Sequence, residues 1–136
     1  MSYLLDTNVI SETIKSKPSR NLYEWLERIP EEDLFISVLT LGEIRRGVEL
    51  LDNTKKKSTL IAWLENDLRN RFGDRILKID NVIADRWGYL CAYSAKTLPV
   101  IDSLIAATAL THNLKLVTRT TKDFLEIQDL ELINPF

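Results

Sequence analysis

Short solid apolar runs alternate with stretches of helical spacing from one end of the chain to the other. Tyr3-Leu4-Leu5 reads as a buried strand, stopped by Asp6-Thr7-Asn8, three residue types that favour helix starts. A helix is expected at once, with Val9, Ile10, Thr13 and Ile14 on its inner face. Lys15 to Ser19, with Pro18, break it before a second helix carrying Leu22, Trp25, Leu26 and Ile29. Leu34-Phe35-Ile36-Ser37-Val38 is the next strand. Thr40-Leu41-Gly42-Glu43 matches a capping box, in which a hydroxyl and a carboxylate three residues on satisfy each other's backbone amides, and it predicts a helix burying Ile44, Val48 and Leu51.

A long helix is predicted from Lys55 to Phe72, with Leu60, Ile61, Leu64 and Leu68 in register and Gly73 placed to end it. Arg75 to Ile79 follows as a strand, then a helix capped by Asp80 with Ile83, Trp87, Leu90 and Cys91 on one face. Pro99-Val100-Ile101-Asp102 leads into an apolar helix from Ser103 to Leu110. Lys115 to Thr118 and Leu130 to Ile133 are the last two strands. Strands alternating with helices in this way predict an α/β fold, a parallel sheet of about five strands wrapped by helices on both faces. No repeat, low-complexity segment or linker divides the sequence, so residues 1–136 are expected to form one domain.

Composition narrows the function classes. With 18 Lys and Arg against 20 Asp and Glu, the net charge is -2, so attraction to nucleic acid requires a local basic face. Cys91 is the single cysteine, which excludes an intrachain disulfide and suits a reducing cytoplasm. No apolar run approaches the length of a membrane span, and Met1-Ser2-Tyr3 does not resemble a signal peptide.

Four acids stand where strands give way to helices or loops: Asp6, Glu43, Asp102 and Asp123. Singly, each has an ordinary explanation. Asp6 and Asp102 can cap the helices that follow them, and Glu43 and Asp123 can complete capping boxes with Thr40 and Thr120. Together they say more. Such positions converge at one end of a parallel sheet, where crowded carboxylates repel each other unless a cation sits among them. Asp102 also lies in the apolar stretch Val100 to Ala107, where a lone charge is costly to bury. The all-oxygen set suits a hard ion, Mg2+ or Mn2+, and implies a metal-dependent hydrolase.

The remaining candidates are weaker. His112 stands at a helix end as a charge partner for the dipole. Ser103 has no histidine near it in sequence, and Trp25, Trp63 and Trp87 read as core or interface residues. Lys55-Lys56-Lys57 reads as a solvated helix start. Arg45, Arg46, Arg119 and Lys122 each lie within a few residues of an acid and are the candidate contacts for an anionic substrate.

Four blocks, Tyr3 to Ser11, Ile36 to Gly47, Ile101 to Ala107 and Leu116 to Phe124, resemble the PIN-domain nucleases, in particular the toxins of VapBC-type toxin–antitoxin pairs. The resemblance implies a parallel sheet whose order reverses at its centre and a metal-dependent ribonuclease site of Asp6, Glu43, Asp102 and Asp123. Asp6 and Asp102 are expected to be direct metal ligands, Glu43 to hold a second ion or act as base, and Asp123 to act through a water. Thr7, Asn8, Thr118 and Thr120 would hold the surroundings or the phosphate. The family often carries Asn or Asp where this chain has Thr120, which makes the corner around Asp123 its point of departure.

The resemblance also implies an antitoxin partner lying along a groove beside the site. Val9, Ile10, Ile14, Leu22, Trp25 and Leu26 are the candidate lining, and a homodimer is expected through the helix of Trp87 and the one beginning near Asp102. Two other readings stand beside this one. An aspartyl-phosphate hydrolase or phosphotransferase would use Asp6 as nucleophile, though Asn8 replaces the second acid such chemistry uses. A binding module would keep the fold with a degenerate site.

Overall fold

The computed structural model describes residues 1–136. Five parallel strands, β1 (Tyr3–Leu5), β2 (Leu34–Ser37), β3 (Ile76–Leu77), β4 (Lys115–Val117) and β5 (Leu132–Ile133), form one sheet in the order β3-β2-β1-β4-β5. The chain builds outward from β1 in one direction and then, from β4, in the other. The order therefore reverses between β1 and β4, at whose carboxyl ends ligands of open α/β sheets bind.

The helices are α1 (Thr7–Thr13), α2 (Arg20–Arg28), α3 (Val38–Glu49), α4 (Thr54–Ala62), α5 (Arg69–Phe72), α6 (Asn81–Ala92) and α7 (Val100–Thr111). A π-helical stretch, Trp63–Leu68, joins α4 to α5, so the long helix expected from Lys55 to Phe72 exists with a widened middle. Gly73, at φ 48°, ends it in a conformation costly for other residues.

Alternation along the strands separates two cores. Leu5, Ile36 and Val117 pack with α1 and α3 and with Leu64, Leu68 and Phe72 on one face. Leu4 and Leu116 pack with Ile105, Ala106, Ala109 and Phe124 on the other. Burying one such Leu or Ile contributes about 2 kcal/mol, so a register slip in β1 would exchange the faces at large cost.

The expected element boundaries shift at three acidic corners. The capping box at Thr40 does not form: the Ser37 hydroxyl accepts from the Leu39 amide (3.0 Å), the helix opens at Val38, and Thr40 is buried inside it. The helix expected to start at Ser103 opens at Val100 behind Pro99, whose fixed φ suits a helix entrance, leaving Asp102 in the first turn rather than at the cap. Thr120 and Asp123 bracket a 3-10 turn, Thr121–Phe124, with no side-chain cap; the Asp123 amide donates to the Thr120 carbonyl (3.0 Å). The strands expected over 75–79 and 130–133 shorten to two residues each at the sheet edges.

Candidate functional site

Asp6 leaves β1 at the point of reversal, and its amide donates to the Val117 carbonyl of β4 (2.9 Å). Its carboxylate is buried, with Oδ1 accepting from the Thr7 amide (2.8 Å) and Oδ2 from the Thr118 hydroxyl (2.8 Å). It caps α1, as the sequence suggests, but capping occupies one oxygen and the other is held by the strand beyond. Burial pushes the carboxyl above its ordinary value, opposed by the Thr118 and Thr7 bonds and reinforced by the charges of Glu43 and Asp123.

Because α3 begins early, Glu43 stands in its second turn and meets α1. Its Oε1 accepts from the Thr7 hydroxyl (2.6 Å), which also lies 3.0 Å from the Thr40 hydroxyl. Asp102 comes from α7 on the opposite side. Its carboxyl is pushed up to about 6, first by burial and then by the charges of Asp6, Glu43 and Asp123. Asp123 is exposed and does not line the cavity, yet its charge is felt by both aspartates.

Asp6, Glu43 and Asp102 line one cavity of about 350 Å³ whose walls carry no hydrophobic side chain. No three acidic, His or Cys side chains are drawn tightly enough to enclose an ion. An all-oxygen set of this kind suits a hard cation that keeps part of its water shell.

Asn8 ties the loop after β4 to α1. Its Nδ2 donates to the Thr118 hydroxyl (3.2 Å) and reaches Thr120 (3.5 Å), while its Oδ1 accepts from the Arg119 amide (3.2 Å). The Thr118 and Thr120 hydroxyls lie 3.2 Å apart. Thus the four polar residues chosen from sequence form one network around the acids, and the Thr120 hydroxyl shares in it.

The basic candidates divide. Arg119 lines the cavity. Arg45 faces away, with ion pairs to Glu49 (3.1 Å) and Glu65 (2.7 Å), so its guanidinium is already partnered. Arg46 and Lys122 are exposed and do not line the cavity. Ser11, Glu12 and Lys15 were not picked out from the sequence, yet all three do. Helical spacing offered a signal, since Ser11 and Glu12 lie three and four residues after Asn8, and Lys15 lies four and three residues after them.

A second cavity, about 660 Å³, adjoins the first and shares Ser11, Lys15 and Glu43 with it. Ile14, Ile44, Val48, Leu51 and Leu60 supply its apolar wall. The groove lining expected from sequence needs correction here. Val9, Ile10 and Leu22 are fully buried in the core, and Trp25 and Leu26 pack against it, Trp25 edge-on to Tyr3 at 5.1 Å. Only Ile14 of the six faces the groove, because the others are needed to cover the sheet.

The proposed dimer helices are similarly unequal. Most of α7 from Ser103 to Ala109 is buried, and Trp87 turns inward, its Nε1 donating to the Ser103 hydroxyl (2.8 Å). Val82 and Tyr89 on α6, Tyr93 at its C-cap and Val100 at the start of α7 are the large exposed hydrophobic residues there. No helix is long and apolar enough to cross a membrane.

The PIN domain family matches residues 3–130. Toxin FitB of Neisseria gonorrhoeae is 38% identical, covering 98% of this chain and 97% of its own, and the crystal structure of FitAcB from that organism superposes with a TM-score of 0.91, 38% identity and the same coverage. A VapC ribonuclease of Sinorhizobium fredii is 33% identical over 98% of this chain and 96% of its own. A toxin–antitoxin complex from Klebsiella pneumoniae has a TM-score of 0.72 at 29% identity, covering 99% of this chain and 98% of that one.

Proposed function

This chain belongs to the PIN domain family, and on that premise we propose that it is a Mg2+- or Mn2+-dependent endoribonuclease, the toxin of a toxin–antitoxin pair. The observation that carries the reading is the meeting of Asp6, Glu43 and Asp102, from three separate elements, in one polar cavity at the sheet's reversal point. The similarity to a VapC ribonuclease supports RNA as the substrate.

Asp6 and Asp102 are the direct ligands in this proposal, with Glu43 beside them. Burial first, and then the charges of the neighbouring acids, raise the carboxyls of Asp6 and Asp102, and a cation would offset both costs of ionising them. A bound Mg2+ or Mn2+ would polarise the scissile phosphate and make a water more acidic. Glu43 gives Oε1 to Thr7, which fixes the carboxylate and leaves Oε2 to take the proton of the attacking water. Thr118 and Thr7 hold Asp6 from two sides, a restraint that suits a ligand better than a nucleophile forming an aspartyl phosphate. Asp123 acts from the rim through a water.

The test is cleavage. Purified protein should fragment RNA with Mg2+ or Mn2+ and stop in chelator; intact RNA under both metals would refute the reading.

The groove along Ile14, Ile44 and Leu51 is the proposed seat of the antitoxin, since its apolar wall runs directly into the acidic cavity through Glu43. A basic side chain carried on the antitoxin segment would there reach the carboxylates. The outer face of α6, with Tyr89 and Tyr93, is the proposed dimer contact. Light scattering that finds only monomer at micromolar concentration would remove it.

A further inference from the structure

We propose that Glu12 is a positioning residue of this site, fixing Lys15 and Arg119 on the cavity rim as the contacts for substrate phosphate. The inference rests on the ribonuclease reading and extends it to residues outside the acidic set.

Glu12 is 5% exposed and stands near the carboxyl end of α1, where both burial and the helix dipole disfavour a negative charge. Its partners explain its presence. Oε1 meets the Lys15 ammonium at 2.9 Å and accepts from Arg119 Nη2 at 2.8 Å, and Oε2 accepts from the Ser19 amide at 2.8 Å. Lys15, then the Ser19 amide and Arg119, hold the carboxyl below the usual range against the opposing effect of burial. Arg119 is held on a further side by the Phe136 ring, 4.2 Å from its guanidinium carbon.

Both cations remain about half exposed, and they are the cavity's two basic side chains. Glu12 engages one of the guanidinium's nitrogens, so donors remain for a phosphate. An RNA strand approaching three carboxylates on a chain of net charge -2 meets repulsion that only local cations offset. A single buried carboxylate in the cavity wall seats two cations beside the acids, which leaves this side of the rim with a net positive charge.

The experiment is binding of a single-stranded RNA oligonucleotide in chelator across a salt series, paired with cleavage kinetics in Mg2+. Lys15→Ala and Arg119→Ala are each expected to weaken binding about tenfold, one charged hydrogen bond's worth, and to lower the log–log salt slope by about 0.7. Glu12→Gln should raise KM with kcat little changed, and should have no further effect on RNA affinity once Lys15 and Arg119 are both Ala. Glu12→Asp, which keeps the buried charge but shortens its reach to Lys15 and Arg119, should weaken binding only while those two cations are present. It decides the positioning claim if Glu12→Gln does not fold.

An unchanged slope in the Lys15→Ala/Arg119→Ala protein would overturn the proposal. So would a Glu12→Gln effect that persists in that background, or weakened antitoxin binding with RNA affinity intact. Wild-type protein that binds RNA with the expected slope but never cleaves it would sink the ribonuclease reading and leave the rim standing.

Discussion

Replacing Asp102 by Asn removes one charge from the crowded acids while keeping the side chain's shape. In the folded chain this carboxyl is pushed up to about 6, against an ordinary Asp value of 3.8. The folded protein therefore binds a proton at Asp102 more tightly than the unfolded chain, and the ionised form destabilises the fold. That penalty is fully present above about pH 6 and absent below the unfolded value. The gap corresponds to about 3 kcal/mol unscreened, which solvent reduces to about 1 kcal/mol for a group this exposed. For a chain of this size Asp102→Asn should then melt about 3 °C above wild type near neutral pH in chelator. By about pH 4, where the wild-type carboxyl is protonated in the fold, the difference should close. Saturating Mg2+ should raise wild type and leave the variant nearly unmoved, because the ion binds only the folded carboxylates. Thermal unfolding followed by circular dichroism reads all of these. A variant that melts below wild type near neutral pH without metal, or a difference independent of pH, would refute the reasoning.

Asp123→Asn should lower cleavage by about tenfold, as for a residue acting through water; a loss as complete as that from changing Asp6 would move Asp123 among the direct ligands. Leu51→Asp, in the apolar wall of the groove, should weaken antitoxin binding at least about tenfold while cleavage stays intact. Titration of the purified partner reads it, and unchanged affinity would place the antitoxin elsewhere.

The sequence disclosed what local chemistry determines. Asp6 was legible because a buried strand ends in three capping residues, and the two-sided sheet because apolar runs such as Leu4-Leu5 have no polar face. Glu43 was found for the wrong local reason. Ser37 takes the cap, α3 opens earlier, and Thr40 turns to the Thr7 hydroxyl, a contact across 33 positions that no periodicity announces. The link from Glu12 to Arg119 spans 107 positions and depends on the parallel pairing of β1 with β4. Apolar residues of α1 and α2 were equally eligible for core or groove until the sheet's demand on Val9, Ile10 and Leu22 was known. Arg45 shows the same limit: proximity to Glu43 in sequence put it at the site, while the helix turned it toward Glu65.

The most direct measurement of the central claim compares wild type with Asp6→Asn on one single-stranded RNA, with Mg2+ or Mn2+ and with chelator. Wild type should cleave only with metal, and the variant should lose at least about a hundredfold with its circular dichroism unchanged. Cleavage by wild type that ignores chelator, or full activity in the folded Asp6→Asn protein, would contradict the account.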